Sequence, residues 1–290
     1  ENLGLHSSWN EAYSIMSKDS KYFMLLNNDG KIYPNTLNSF VERLEQDDKI
    51  GAVNGIELKW NSKLIDHAGM LFDEMFVTNP LSRFMNVKSS EKKEHYISLA
   101  SAVLGMFRTS AARKWGNKLF EEDMFRHFNE TIMGARLWND GYKILFIPKV
   151  SGEHLTQLAE GSRSFKRIRY ALRGWLTLLL ISNSKYKNSL FMRSHMIKQL
   201  LNRLMRDFNF INSKEAIKYY FEVSAFAQKK AADLIKRKIT VDLYKMPHLK
   251  GFQPYWMFPR FVTRDSKPDM TFSKLQKKGS IYLPENVKSS

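Results

Sequence analysis

A continuous apolar run, Tyr22-Phe23-Met24-Leu25-Leu26, stops abruptly at Asn27-Asn28-Asp29-Gly30. This junction constrains the fold more than any other feature of the chain. An unbroken apolar run suits a strand buried on both faces, as in a parallel sheet. The polar residues and glycine after it end the strand in a turn. Pro34 then opens a helix with Leu37, Phe40, Val41 and Leu44 on one face. The alternation continues on both sides of this unit. Ser8 to Ser17 reads as a short helix carrying Trp9, Ala12, Tyr13 and Met16, and Ile50 to Val53 as a strand. Ile65 to Phe72 and Tyr96 to Phe107 read as extended segments. Ala111 to Trp115 reads as a short helix closed by Gly116. Thr131 to Trp138 reads as a helix and Ile144 to Ile147 as a strand. Strands alternating with helices predict an α/β domain over residues 1–158, a mostly parallel sheet flanked by helices.

The chain changes character after that point. Residues 159–245 read as a basic α-helical region, and 246–290 as an irregular tail rich in aromatic and basic residues. From residue 161 onward there are 27 lysines and arginines against 8 acids, while residues 1–160 hold 19 against 21, so the net charge of +17 sits in the second half. Phe165 to Ile181 is basic at its start and apolar at its end. Leu190 to Phe208 carries Met196, Ile197, Leu200, Leu201, Leu204 and Met205 on one face, ringed by Arg193, Lys198, Arg203 and Arg206. A third helix is expected from about Lys214 to Lys238. The apolar run from Trp175 to Ile181 falls well short of the roughly 20 residues of a spanning helix. The absence of cysteine excludes disulfides and thiolate metal sites and favours a reducing compartment.

Asp29 is the first candidate for chemistry. A carboxylate just past the end of a parallel strand stands at the crevice where open α/β sheets bind ligands. A diphosphate leaving group needs a divalent cation, and Mg²⁺ and Mn²⁺ prefer oxygen ligands. By itself, Asn-Asn-Asp-Gly reads first as a plain turn, since turn chemistry alone favours these residues.

Four segments in order give the turn a context. They are Asn2-Leu3-Gly4-Leu5 with Asn10; Phe23 to Gly30 with Pro34; Ser101 to Arg108 with Gly116 to Phe125; and Phe128-Asn129-Glu130 followed by Arg136, Gly141-Tyr142, Pro148 and His154. Together they resemble a family 2 glycosyltransferase of the GT-A fold, of the rhamnosyltransferase-like kind, over roughly residues 1–155. The resemblance implies an inverting, metal-dependent transfer of a sugar from a nucleoside-diphosphate donor to a glycan or lipid-linked acceptor, in surface polysaccharide or glycoconjugate synthesis. It implies that Asp29 holds Mg²⁺ or Mn²⁺ and that His154 completes the metal site or meets the diphosphate. Asn2, Gly4, Asn10, Asn27 and Asn28 would line the donor site, and Glu130 would be the catalytic base.

The chain departs from the pattern in three places. The metal motif has one acid, Asp29. Asn129-Glu130 stands where the family has Glu-Asp. The family's first strand–helix units do not precede Asn2, which leads us to expect an incomplete N-terminus. Bland alternatives stand beside these roles. Glu130 is a favourable charge in a helix's first turn, His154 a structural histidine, and Asp66-His67-Ala68-Gly69 a tight structural strand pair.

The basic half calls for its own partner. An anionic membrane surface suits the amphipathic helices and would place the protein in the cytoplasm, peripheral on the membrane's inner face. Packing on the catalytic domain or in a homodimer is the second reading. Nucleic acid is the last: the charge allows it, but no zinc spacing, RNP-like segment or KH loop accompanies it. A non-catalytic basic module binding membrane or nucleic acid is the alternative to an enzyme.

Overall fold

The computed structural model describes residues 4–124, 129–155, 165–190, 193–194, 198, 213–251 and 270–288. In chain order the strands are β1 Tyr22–Met24, β2 Gly30–Ile32, β3 Ile50–Lys59, β4 Ile65–His67, β5 Met70–Asp73, β6 Thr78–Pro80, β7 His95–Tyr96, β8 Met106–Arg108, β9 Lys143–His154, β10 His248–Leu249 and β11 Ile281–Tyr282. The helices are α1 Leu5–Ile15, α2 Thr36–Gln46, α3 Thr109–Arg113, α4 Asn129–Asn139, α5 Phe165–Ile181, α6 Ser213–Lys236, α7 Phe272–Lys277 and α8 Glu285–Lys288. The larger sheet runs β1-β8-β3-β9-β2, with β4 added to β3 and β7 to β9; a smaller one runs β11-β10-β5-β6.

The α/β architecture with flanking helices is present, but the sheet is not mostly parallel. In the larger sheet β3 and β9 pair in parallel, while β1–β8, β3–β8, β2–β9, β3–β4 and β7–β9 are antiparallel. The cause lies in the connections. A parallel pair needs a long crossover, and β3 reaches β9 through one that contains α3 and α4. Elsewhere the chain returns through hairpins and irregular segments. β1 is likewise corrected: it is a half-buried strand paired antiparallel with β8, not a buried parallel one. Of its apolar run only Leu25 is fully buried, and Leu26 is 45% exposed.

The central position falls to β3, buried over all but its last residue. Its small residues explain the fit. A Cβ on Gly51 would lie 2.7 Å from Tyr142 Cβ, and one on Gly55 2.7 Å from the Lys149 carbonyl oxygen. The two other expected extended segments are broken. Gly69, at φ 84°, turns the chain between β4 and β5. Between β7 and β8, Ser98 and Ser101 bond to backbone and to Asn54 instead of continuing a strand.

The basic half shares the core of the first. Leu172, Trp175, Leu176 and Leu179 of α5, and Tyr219, Val223, Ala227 and Leu234 of α6, belong to the same buried cluster as Phe72, Phe76 and Phe146. The Trp175 indole N–H donates to the Met75 carbonyl at 2.7 Å. The apolar faces offered by sequence to a membrane are therefore spent inside the protein for α5 and much of α6. Most of Leu190 to Phe208 lies outside the described residues. The tail is not simply irregular: β10 pairs in parallel with β5 and antiparallel with β11. Among the described residues no helix is long and apolar enough to cross a membrane.

Candidate functional site

The turn at Asn27 is closed by the Gly30 N–H on the Asn27 carbonyl at 2.9 Å, and it leads directly into β2. β2 lies against the end of β9, with Gly30 opposite His154 and Ile32 opposite Gly152. Gly152 permits this approach, since a Cβ there would stand 2.0 Å from the Lys31 carbonyl oxygen. The pairing is extended by the Leu155 N–H, which donates to the Asp29 carbonyl at 2.9 Å. As a result Asp29 Oδ1 lies 3.3 Å from His154 Nε2, with the two side chains 18% and 15% exposed.

The other face of His154 meets a second carboxylate. Its Nδ1 is 3.6 Å from Oδ2 of Asp66, a 7%-exposed side chain also held by Arg83 at 3.1 Å and Lys59 at 3.5 Å. Burial by itself would lower the His154 pKa, but the hydrogen bond that the imidazole donates to Asp66 and the charges of Glu57 and Asp29 outweigh it, and the net shift is upward. Burial would likewise raise Asp66, yet His154, Arg83, His67 and Lys59 hold its carboxyl well below the usual range. Behind them, fully buried Glu57 approaches His67 Nε2 at 3.0 Å across the β3–β4 pair. Among the described residues neither Glu57 oxygen has a hydrogen-bond partner, so the ion contact with His67 is what faces it.

The remaining sequence-derived residues separate into groups. Among the described residues the buried Asn27 side-chain oxygen has no hydrogen-bond partner, and Asn28 is exposed in the same turn. Gly4, at φ 87°, caps α1, and Asn2 lies outside the described residues. Asn10 is corrected from a donor-site residue to a structural one. Its Oδ1 accepts the N–H groups of Leu119 and Phe120 at 2.9 and 3.0 Å, and its Nδ2 donates to the Phe120 carbonyl and to Glu122 at 2.9 and 3.3 Å. An amide so engaged has no group left for a ligand. Glu130 is half-buried in the first turn of α4. The turn at Gly141 sends the chain from α4 back along β9. Trp138 donates to the Ile97 carbonyl while Gly134 packs on Leu99, which seats α4 on the segment after β7.

Among the described residues no three His, Cys, Asp or Glu side chains form a ligand set for a metal. The donors present still fit a hard divalent ion that arrives with its own ligands. Such ions often take one or two protein carboxylates and complete their shell with substrate phosphates and water. Asp29 supplies oxygen and His154 nitrogen, and the unpartnered Asn27 oxygen is a third donor in the adjoining turn. Asp66, on the Nδ1 side, stands where the outer partner of a ligating imidazole would stand. Sequence reading treated Asp66 as part of a structural hairpin. Its role depends on strand order, with Lys59 of β3 opposite His154 on β9 and Leu58 opposite Ile65 on β4, and no local pattern encodes that order.

No family model matches the chain, and no curated protein matches it in sequence. A solved structure titled "Crystal structure of GalNAc-T7 with UDP, GalNAc and Mn2+" is similar over 83% of this chain, at a TM-score of 0.49 and 13% identity. The similar part is 45% of that structure's own length, so the chain spans less than half of it.

Proposed function

We propose that the chain is a glycosyltransferase of GT-A type that moves a sugar from a nucleoside-diphosphate donor to a glycan or lipid-linked acceptor, with inversion. The observation that carries this reading is the meeting of Asp29 and His154, remote in sequence, beside the unpartnered oxygen of Asn27. The order of motifs around them supports it. Asp29 and His154 would hold Mg²⁺ or Mn²⁺, whose charge offsets that of the departing diphosphate. Asn27 and Asn28 would line the same turn. Glu130 would take the proton of the acceptor hydroxyl as its oxygen bonds to the anomeric carbon and the bond to the diphosphate breaks with its electron pair. The basic half would meet an anionic inner membrane surface through its lysines and arginines, since much of its apolar surface is already buried; a homodimer is the competing use. A non-catalytic basic module would give no work to the Asp29–His154–Asp66 cluster.

The test is calorimetric titration of UDP, GDP and dTDP with and without Mn²⁺, joined to a turnover assay. Wild type is expected to bind one of them only with metal, and Asp29→Ala to lose that binding. Glu130→Gln is expected to keep it while turnover falls about 10²- to 10⁴-fold. Wild-type turnover by both variants sinks the assignment.

A further inference from the structure

The β3–β4 hairpin carries Trp60, Asn61 and Ser62 beyond the sheet at the end where the candidate site lies. Its tip is fixed from two sides. The Trp60 N–H donates to the His154 carbonyl at 3.2 Å. One oxygen of Glu153 accepts the Asn61 N–H at 3.0 Å, and the other accepts the Tyr33 hydroxyl at 2.5 Å. Asn61 sits at φ 48°, a left-handed backbone that a side chain adopts where its surroundings hold it. On this fixed tip Trp60 is 37% exposed. Among the described residues its ring stacks on no aromatic or cationic group and its indole N–H has no hydrogen-bond partner.

We propose that Trp60 is a stacking platform for a pyranose ring of the acceptor glycan. This rests on the glycosyltransferase reading and gives the acceptor side of that site a residue. A sugar ring has an apolar face of C–H groups and a rim of hydroxyls. An indole offers a flat apolar face and one donor at its edge, so it matches both at once. The hairpin supplies Asn61 and Ser62 beside it for the rim. The backbone bond from Trp60 to His154 ties the hairpin tip to the end of β9, the strand end that carries the residue proposed to hold the departing diphosphate. A protein or membrane partner would call for a contiguous apolar patch. Trp60 is instead followed by Asn61, Ser62 and Lys63.

The experiment is a ¹⁵N-indole spectrum of the full chain, titrated with lactose, maltotriose, N,N′-diacetylchitobiose and rhamnose, without donor. Trp60→Phe identifies the resonance among the six tryptophans. A saturable shift of the Trp60 signal with at least one sugar is expected, with affinity falling about tenfold in Trp60→Ala. No shift with any of the four overturns the platform, as does unchanged affinity in a Trp60→Ala protein whose remaining indole signals keep their positions. A parallel titration with UDP, GDP and dTDP plus Mn²⁺ separates the two ideas. Nucleotide binding with a silent Trp60 overturns the platform and leaves the transferase reading standing. Sugar binding at Trp60 with no nucleotide binding keeps Trp60 as a sugar platform but overturns its acceptor role together with the transferase reading.

Discussion

His154 stands between two carboxylates that do different things. Asp29 faces the turn where a ligand would enter, whereas Asp66 is pinned by Arg83 and Lys59 and cannot follow a ligand. Asp66→Asn keeps the shape and removes the charge that fixes the imidazole. Its expected effect is a loss of about 10- to 100-fold in Mn²⁺ affinity, read by calorimetry, with the fold intact. Wild-type affinity in that variant would leave Asp66 as a structural partner of Arg83 alone. The residue scale also shows what a sequence discloses. Asp29 and His154 can be singled out as candidates because each occupies its place in an ordered series of motifs, and their side chains meet in the fold. Asp66 was not, because its meaning comes from a neighbour two strands away. Asn10 misled for the opposite reason: a polar amide near the start of the chain looks available until the 119–122 segment folds back and takes all of its hydrogen bonds.

Elements fared unevenly, and the difference is physical. Helices such as α2 and α4 were legible because their apolar stripes and end signals are local. Strand direction was not, because the pairing of β1 with β8 joins residues some 85 positions apart in sequence. The docking of α6 was hidden too, because it depends on charges from both halves. Lys230, 8% exposed, binds Glu121 at 2.6 Å and Asp123 at 2.9 Å, and Arg237 clasps both oxygens of Glu121 at 2.7 and 2.8 Å. This clasp holds the helix to the turn just before α4, the element that carries Glu130. Lys230→Met retains the stem's packing and strands part of the acidic pair. A destabilisation of about 2 to 3 kcal/mol is expected in urea unfolding, short of the figure for a wholly buried pair because Arg237 stays on Glu121. A loss below about 0.5 kcal/mol, the level of an ordinary exposed pair, would show that the clasp adds nothing to docking.

At the scale of the whole molecule the charge asymmetry was plain in the sequence, but its use was not. Part of the basic half is consumed internally at Lys230, Arg237 and Lys185, the last on Glu74, and the tail closes the smaller sheet through β10. That closure brings Phe272 onto His95, ring centroids 3.9 Å apart, with Phe146 nearby at 4.5 Å. Burial among these rings depresses the His95 pKa to about 3, against the lesser pull of the Lys93 carbonyl. The sign follows from linkage. The unfolded chain takes up this proton below about pH 6.5 while the folded chain does not until about pH 3, so stability falls as pH drops through that window. Glu121 adds a second loss at lower pH. Burial would raise its pKa, but Arg237 and Lys230 together bring it down to about 2, so its contribution is full above the ordinary glutamate range and vanishes as pH falls toward that value. His154 opposes both, because a raised histidine favours the folded state in acid. The His95 share is therefore read as a difference between two proteins. Urea unfolding of His95→Phe and wild type, compared at pH 7.5 and pH 5, should give the variant a shallower loss, by about 1.4 kcal/mol for each pH unit below 6.5. Parallel curves for the two proteins would mean that His95 is hydrated, and that the tail does not seal this part of the core in solution.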